Sequence, residues 1–72
     1  MRSTTRYAVV IEKARGNYSA YAPDLPGCVA TGRTRAIAAR RIRAAIRFHL
    51  DGLRQDGLPI PRPTCVCEYV EA

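Results

Sequence analysis

The stretch Tyr21-Ala-Pro-Asp-Leu-Pro-Gly-Cys28 decides the fold of this chain. Pro23 cannot donate a hydrogen bond to a sheet ladder, so a strand that reaches it must end there or lie at an edge. Leu25-Pro26-Gly27 fits a type II turn, because Pro26 fixes φ at the first central position and Gly27 permits a positive φ at the second. We therefore expect the chain to reverse direction here, between two strands.

Two strands are predicted before this turn and one after it. Residues 7–13 are β-branched and aromatic, and their nearly continuous apolar run indicates a central strand buried on both faces. Arg15-Gly16-Asn17 is typical of a tight turn, and residues 18–22 then return as the second strand of a hairpin. Residues 28–31 form a short third strand.

One long helix follows the third strand, which ends at Gly32. Thr34 suits the N-cap position, because its hydroxyl can accept a hydrogen bond from the first helical turn. Ile37 stands where a capping box would have Glu or Gln, so the cap is incomplete. The helix is predicted over residues 35–55, and Gly57 suits the position after its C-cap.

The chain after the helix predicts a linker and a fourth strand. Pro59, Pro61 and Pro63 enforce an extended, non-helical linker. Residues 64–70 alternate in polarity and are rich in strand-forming residues. The expected fold class is therefore α+β in the order βββαβ, a small sheet with antiparallel pairing and one long helix packed on it, with residues 1–72 forming a single domain.

Length and composition favour a small assembling protein. A chain of 72 residues has one core, which rarely supplies more than about 3–5 kcal/mol. Three cysteines are an odd number, and no apolar segment resembles a signal peptide or a membrane span. We therefore expect a cytoplasmic protein with reduced thiols, and a homo-oligomer, a dimer or a tetramer, as the source of further burial.

The helix sorts into faces at 100° per residue. A broad apolar face, expected to lie on the sheet, is formed by Ala38, Ile42, Ala45, Ile46, His49 and Leu53. A weaker apolar edge contains Ile37 and Phe48. This edge is a candidate oligomer or partner contact, and the alternative is that Phe48 packs under the linker.

Arginines form a row on the same helix, in a chain of net charge +6. Such a row could contact phosphates or a partner, since each guanidinium can make bidentate contacts. The alternative, which we favour, is a solvated outer face, because no aromatic residues alternate with the arginines. The row consists of Arg40, Arg43, Arg47 and Arg54.

Catalytic and metal-binding residues do not form a recognisable group in the sequence. The six carboxylates are scattered, and no Ser or Cys stands beside His49 as a nucleophile would. Cys28, Cys65, Cys67 and His49 could supply a zinc site, but their spacing fits no usual pattern, and structural cysteines are more common. We predict no catalytic residues, no metal and no cofactor, and hence a protein that is not an enzyme.

The sequence resembles the HicB-like antitoxins. The resemblance rests on Tyr18-Ser-Ala-Tyr-Ala-Pro-Asp-Leu-Pro-Gly-Cys-Val-Ala-Thr-Gly-Arg-Thr34, on Ala45-Ile46 and Leu50, and on Asp56-Gly-Leu-Pro-Ile-Pro-Arg-Pro63. The positions that match the family's turn are Tyr21, Pro23, Asp24, Leu25, Pro26, Gly27 and Cys28, and those at the start of its helix are Gly32 and Thr34.

This resemblance implies a βββαβ core that looks like a truncated ribonuclease H fold. It also implies a function, the neutralisation of HicA, a small messenger-RNA-cleaving toxin, by stoichiometric binding that covers its catalytic histidine. The alternative hypothesis is an orphan nucleic-acid-binding module that uses the basic helix face. Both hypotheses make this chain a binding module, with a HicA-like protein or a nucleic acid as its partner.

Two features differ from the family pattern. Many members carry a C-terminal DNA-binding domain, and we expect none here, because the chain stops at Ala72. Members usually have acidic residues after the helix cap, where this chain has Thr34-Arg-Ala-Ile-Ala38. HicA toxins are typically basic, so a partner of charge +6 would meet like-charge repulsion.

Overall fold

Three strands and one helix form the domain, in a computed structural model that describes residues 5–72. Strands β1 (Val10–Ala14), β2 (Asn17–Tyr21) and β3 (Val29–Gly32) make an antiparallel sheet in the order β1-β2-β3. Helix α1 (Arg35–Gln55) packs on one face of this sheet. The α+β arrangement is confirmed, and the helix has the predicted bounds.

The central strand is β2, whereas the sequence indicated the first strand. β1 pairs with β2 in a register that runs from Val10 opposite Tyr21 to Ala14 opposite Asn17. Among residues 5–72, no strand pairs with the outer edge of β1. The predicted burial on both faces is wrong, because the helix covers only one face and the apolar run alternates between the two.

Residues 64–70 are not a strand in this chain, which differs from the predicted fourth strand. Their apolar side chains are exposed, with Tyr69 fully accessible to solvent. The backbone N–H groups of Thr64 and Cys65 donate to the carboxylate of Asp24 rather than to a sheet ladder. The carboxylate of Asp24 therefore holds the start of this segment, and among residues 5–72 no strand pairs with it.

Both ends of helix α1 are capped by local hydrogen bonds. At the N-terminus, the hydroxyl of Thr34 accepts from the backbone N–H of Ile37 at 3.1 Å. At the C-terminus, Gly57 has a φ of 69°, and its N–H donates to the carbonyl of Arg54. The N–H of Leu58 donates to the carbonyl of Leu53 at 2.9 Å, which completes a Schellman motif.

The core joins β2, the loop after it and the helix. Leu25 of the loop and Ile42 of the helix are the largest fully buried side chains. Gly32 lies directly against the start of the helix, because a Cβ placed there would be 2.6 Å from the backbone nitrogen of Ala38. The buried core residues are Ala20, Ala22, Leu25, Cys28, Ala38, Ile42 and Leu50.

Candidate binding surfaces

The loop between β2 and β3 consists of two successive β-turns. The N–H of Leu25 donates to the carbonyl of Ala22, and the N–H of Cys28 donates to that of Leu25, both at 3.0 Å. Gly27 has a φ of 83°, as the predicted type II turn requires. These turns seat Leu25 in the core and leave Asp24 at the surface, so the motif contributes to the core and also presents a carboxylate.

The carboxylate of Asp24 holds the start of the C-terminal segment against this loop through three hydrogen bonds. Its Oδ2 accepts from the N–H groups of Thr64 and Cys65, each at 3.0 Å, and its Oδ1 accepts from the Thr64 hydroxyl at 2.8 Å. The N–H of Cys65 and the hydroxyl of Thr64 hold the pKa of Asp24 below its ordinary value. The sequence indicated only a turn residue, because no local pattern links positions forty residues apart.

We expect Asp24→Asn to loosen residues 64–65, because an amide nitrogen cannot accept the hydrogen bonds that the second carboxylate oxygen accepts. In the wild type, a lowered folded-state pKa means that the stabilisation is present above the unfolded-state pKa of about 3.9. It is lost as the pH falls through the lower folded-state pKa of Asp24. Amide hydrogen exchange of Thr64 and Cys65, expressed as protection factors, measures both effects.

The matched control is Asp51→Asn, which removes the same charge from an exposed site on the helix. It should leave protection at Thr64 and Cys65 unchanged, while Asp24→Asn should reduce it at neutral pH. Equal protection in the Asp24→Asn variant and the wild type would show that this carboxylate does not hold the segment.

The four arginines of the predicted row are exposed and extend along one side of α1. From the first to the last they span fourteen residues, or about 21 Å at 1.5 Å per residue. Arg54 donates to Asp51 at 3.1 Å, an exposed pair that contributes little stability. Arg43 and Arg47 border a groove beside β1, described next. The row consists of Arg40, Arg43, Arg47 and Arg54, all of them exposed.

An apolar groove of about 510 Å³ lies between the start of β1 and the helix. Alternate residues on the strand side, Tyr7, Val9 and Ile11, face helix residues that include Ile42 and Ile46. We call it the β1 groove. The hydroxyl of Tyr7 also donates to the carbonyl of Pro61, which holds the linker at one end of this groove.

A second groove, of about 460 Å³, lies on the other side of the helix, along β3. Phe48 in its lining is 82% exposed and Val29 is 66% exposed, so Phe48 does not pack under the linker. His49 and Leu53 are half-buried beside them. We call it the β3 groove. Ile37, which was also predicted to lie on this apolar edge, is instead half-buried next to Gly32.

The sheet face opposite the helix carries a row of apolar residues that sequence reasoning missed. Val10 pairs with Tyr21 and Tyr21 pairs with Val29, so the three lie side by side across the sheet. Tyr21 is 40% exposed, although it belongs to the family-like turn motif. The row continues at Val29 into the β3 groove, and only the strand register could have revealed it.

Reactive side chains do not converge in the part of the chain that is described. Cys28 is buried, and burial raises the pKa of its thiol, whereas Cys65 and Cys67 are exposed. Residues 5–72 contain no group of three or more His, Cys, Asp or Glu side chains that could hold a metal ion. The same residues include no helix with the length and apolar character needed to cross a membrane.

Comparison with models of protein families shows which family this chain belongs to. Residues 7–72 match the model of the HicB-like antitoxins of bacterial toxin-antitoxin systems. The chain belongs to this family. The resemblance seen in the turn, helix and exit motifs is thereby confirmed. The HicB-like assignment indicates a role in a toxin-antitoxin system and a toxin as the general kind of partner.

Curated relatives of this HicB-like chain come from a phage, an archaeon and a bacterium. It is 33% identical over 64 residues to a 14.9 kDa protein from the rep-hol intergenic region of Haemophilus phage HP1, and the match covers 89% of this chain and 48% of the phage protein. The chain thus spans about half the length of that relative. A UPF0150 protein of Thermoplasma acidophilum is 38% identical over 58 residues, covering 79% of this chain and 84% of the relative.

A UPF0150 protein of Helicobacter pylori is 43% identical over 49 residues, covering 68% of each protein. Each of these three matches therefore covers at least two thirds of this chain.

Proposed function

We propose that this chain is a non-catalytic antitoxin module that binds a HicA-type messenger-RNA-cleaving toxin and neutralises it by covering its catalytic surface. The proposal rests on the family match over residues 7–72. A folded module that buries about 1,200–2,000 Å² against a small nuclease is sufficient to exclude RNA from it. Because the substrate is messenger RNA, the complex would act in the cytoplasm.

The toxin would contact the apolar surface around β3. HicA-type toxins are typically basic, so the arginine side of the helix would repel them. Phe48 and Val29 are exposed in the lining of the β3 groove. The apolar row of Val10, Tyr21 and Val29 on the outer face of the sheet ends at this groove. Exposed aromatic residues in an apolar surface are the side chains most often found at the centre of protein interfaces.

The test begins with capture of the tagged protein from its own cells, followed by a nuclease and high-salt wash and mass spectrometry. We expect to recover a HicA-type protein in stoichiometric amount. Its cleavage of messenger RNA should stop when one equivalent of this chain is added. Recovery of no such protein would contradict the proposal.

Phe48→Glu then tests the contact surface. It should weaken the complex roughly 30-fold or more, which corresponds to the loss of about 2 kcal/mol at an interface centre. The matched control is Ala36→Glu, which adds the same charge at an exposed position in the first turn of the helix. Equal affinity of the two variants for the toxin would exclude the β3 groove as the contact.

A second candidate function is the binding of nucleic acid through the helix arginines, which the exposure of all four side chains favours. Such binding would weaken steeply with salt and with Arg43→Glu plus Arg47→Glu. In the capture experiment, nucleic acid that is lost in the wash, without a protein partner, would favour this candidate. Wild-type-like binding of RNA and DNA by the double variant would exclude it.

A further inference from the structure

The outer edge of β1 is suited to receive another strand. Within residues 5–72, the backbone N–H and C=O groups on this side have no strand partner, and such an edge is a template for pairing with another chain. The edge also borders the β1 groove, so an added strand would gain apolar contacts with Ile11 and Ile46 as well as backbone hydrogen bonds.

The chain carries a segment with the properties of such a strand. Residues 64–70 are rich in β-branched and aromatic residues that favour extended structure, and at about 3.3 Å per residue they span about 23 Å. Val66 is 80% exposed, Tyr69 is 100% exposed and Val70 is 85% exposed. The segment thus leaves apolar surface in water in its own chain, although an apolar groove lies on the same molecule.

Charge makes the groove and the segment complementary. Arg43 and Arg47 line the groove and are exposed. All twelve basic residues of the chain lie before residue 64, whereas residues 64–72 contain Glu68 and Glu71 and no basic residue. The C-terminal segment is therefore the acidic part of a basic protein, and opposite charges across an interface set its register and exclude wrong partners.

We propose that the β1 groove receives the C-terminal segment of a second copy of this chain, so that two copies exchange these segments across a two-fold axis. Each segment would add a strand to the partner's sheet beside β1. Glu68, within the added strand, would lie close to Arg43 and Arg47 of the partner, and Glu71, one residue after the strand, would add its negative charge at the same end. A second copy is favoured over the chain's own segment, because Asp24 holds residues 64–65 while the rest of that segment lies exposed.

Charge reversal on the two sides tests this exchange, by sedimentation equilibrium of the full chain under reducing conditions over a dilution series. The wild type should be a dimer. Arg43→Glu plus Arg47→Glu should weaken dimerisation about tenfold or more, and Glu68→Arg plus Glu71→Arg should do the same. An equimolar mixture of the two double variants should recover the dimer, because each segment then meets a groove of opposite charge: the acidic segment meets the native groove, and the reversed segment meets the reversed groove.

The control for net charge is Arg15→Glu plus Arg33→Glu, two exposed positions outside the β1 groove, which changes the charge as much as the groove variant does. It should dimerise like the wild type. Recovery in the mixture cannot arise from net charge, since both components remain positive.

Three outcomes would overturn the proposal. One is a monomeric wild type whose residues 64–70 are protected from hydrogen exchange, which would mean that the segment docks on its own chain. Another is a mixture that stays as monomeric as its components. The third is a groove variant that dimerises like its control. None of these outcomes involves a toxin, so they are independent of the proposed antitoxin role.

Discussion

Gly32→Ala is expected to lower the free energy of unfolding by about 1–3 kcal/mol or more, which is a large part of the stability of so small a protein. An added Cβ would lie 2.6 Å from the backbone nitrogen of Ala38 and 2.8 Å from the Cγ2 atom of Ile37. The first contact is with helix backbone, so the helix would have to move away from the sheet. Overpacking of this kind costs about 1–3 kcal/mol and sometimes more, while a core of this size supplies about 3–5 kcal/mol.

Urea denaturation followed by circular dichroism measures this effect, and a second glycine provides the control. A Cβ on Gly52, within the helix, would meet nothing within 4 Å. Gly52→Ala should therefore raise the free energy of unfolding by about 0.5–1 kcal/mol, through better helix propensity. If Gly32→Ala unfolded at the same urea concentration as the wild type, the helix could not pass so close to β3.

Leu25→Ala is the second substitution with a large expected effect. Leu25 is fully buried although it belongs to a loop, and it is one of the two largest side chains that are fully buried. Truncation of a buried leucine costs about 2–5 kcal/mol, because transfer energy is lost and a cavity is left. We expect loss of the cooperative transition in urea, or a midpoint close to zero denaturant.

The control for this substitution is Leu58→Ala, since Leu58 is 51% exposed. A change at such a surface position should alter the free energy of unfolding by about 0.5 kcal/mol. A loss for Leu25→Ala no larger than that of this control would mean that the loop is not part of the core.

Features set by neighbouring residues were predictable from the sequence. Thr34 and Gly57 mark the helix ends through hydrogen bonds that reach only three to five residues. Pro26 and Gly27 determine a type II turn in the same way, since each restricts or permits the φ of its own residue. These local rules explain why the helix has the predicted bounds and why the chain reverses where expected.

Features set by distant residues were not predictable. The apolar run at Val10 suits a buried strand and an edge strand equally, and only pairing with β2 decides between them. The carboxylate of Asp24 meets residues forty positions away, where no sequence period applies. The fourth strand was predicted from composition, but a strand also needs a partner, and residues 64–70 have none within their own described chain.

The candidate surfaces were predictable in part for the same reason. Helical periodicity places Arg43 and Arg47 on one side of α1, but their position beside a groove depends on how the helix crosses the sheet. Periodicity likewise identified Phe48 as lying outside the main apolar face, and packing then decided that its ring stays exposed.

The hydrogen bonds from Thr64 and Cys65 to Asp24 involve residues that are synthesised after the whole core. The buried core residues and the side chains packed against them end at Ile60, so the ribosome has made them all before it adds Thr64. The sheet and helix therefore do not depend on these hydrogen bonds for their own completion, and the contact with Asp24 closes after them. Every side chain that builds the core of the basic body is therefore present in the chain before the acidic segment is added to it.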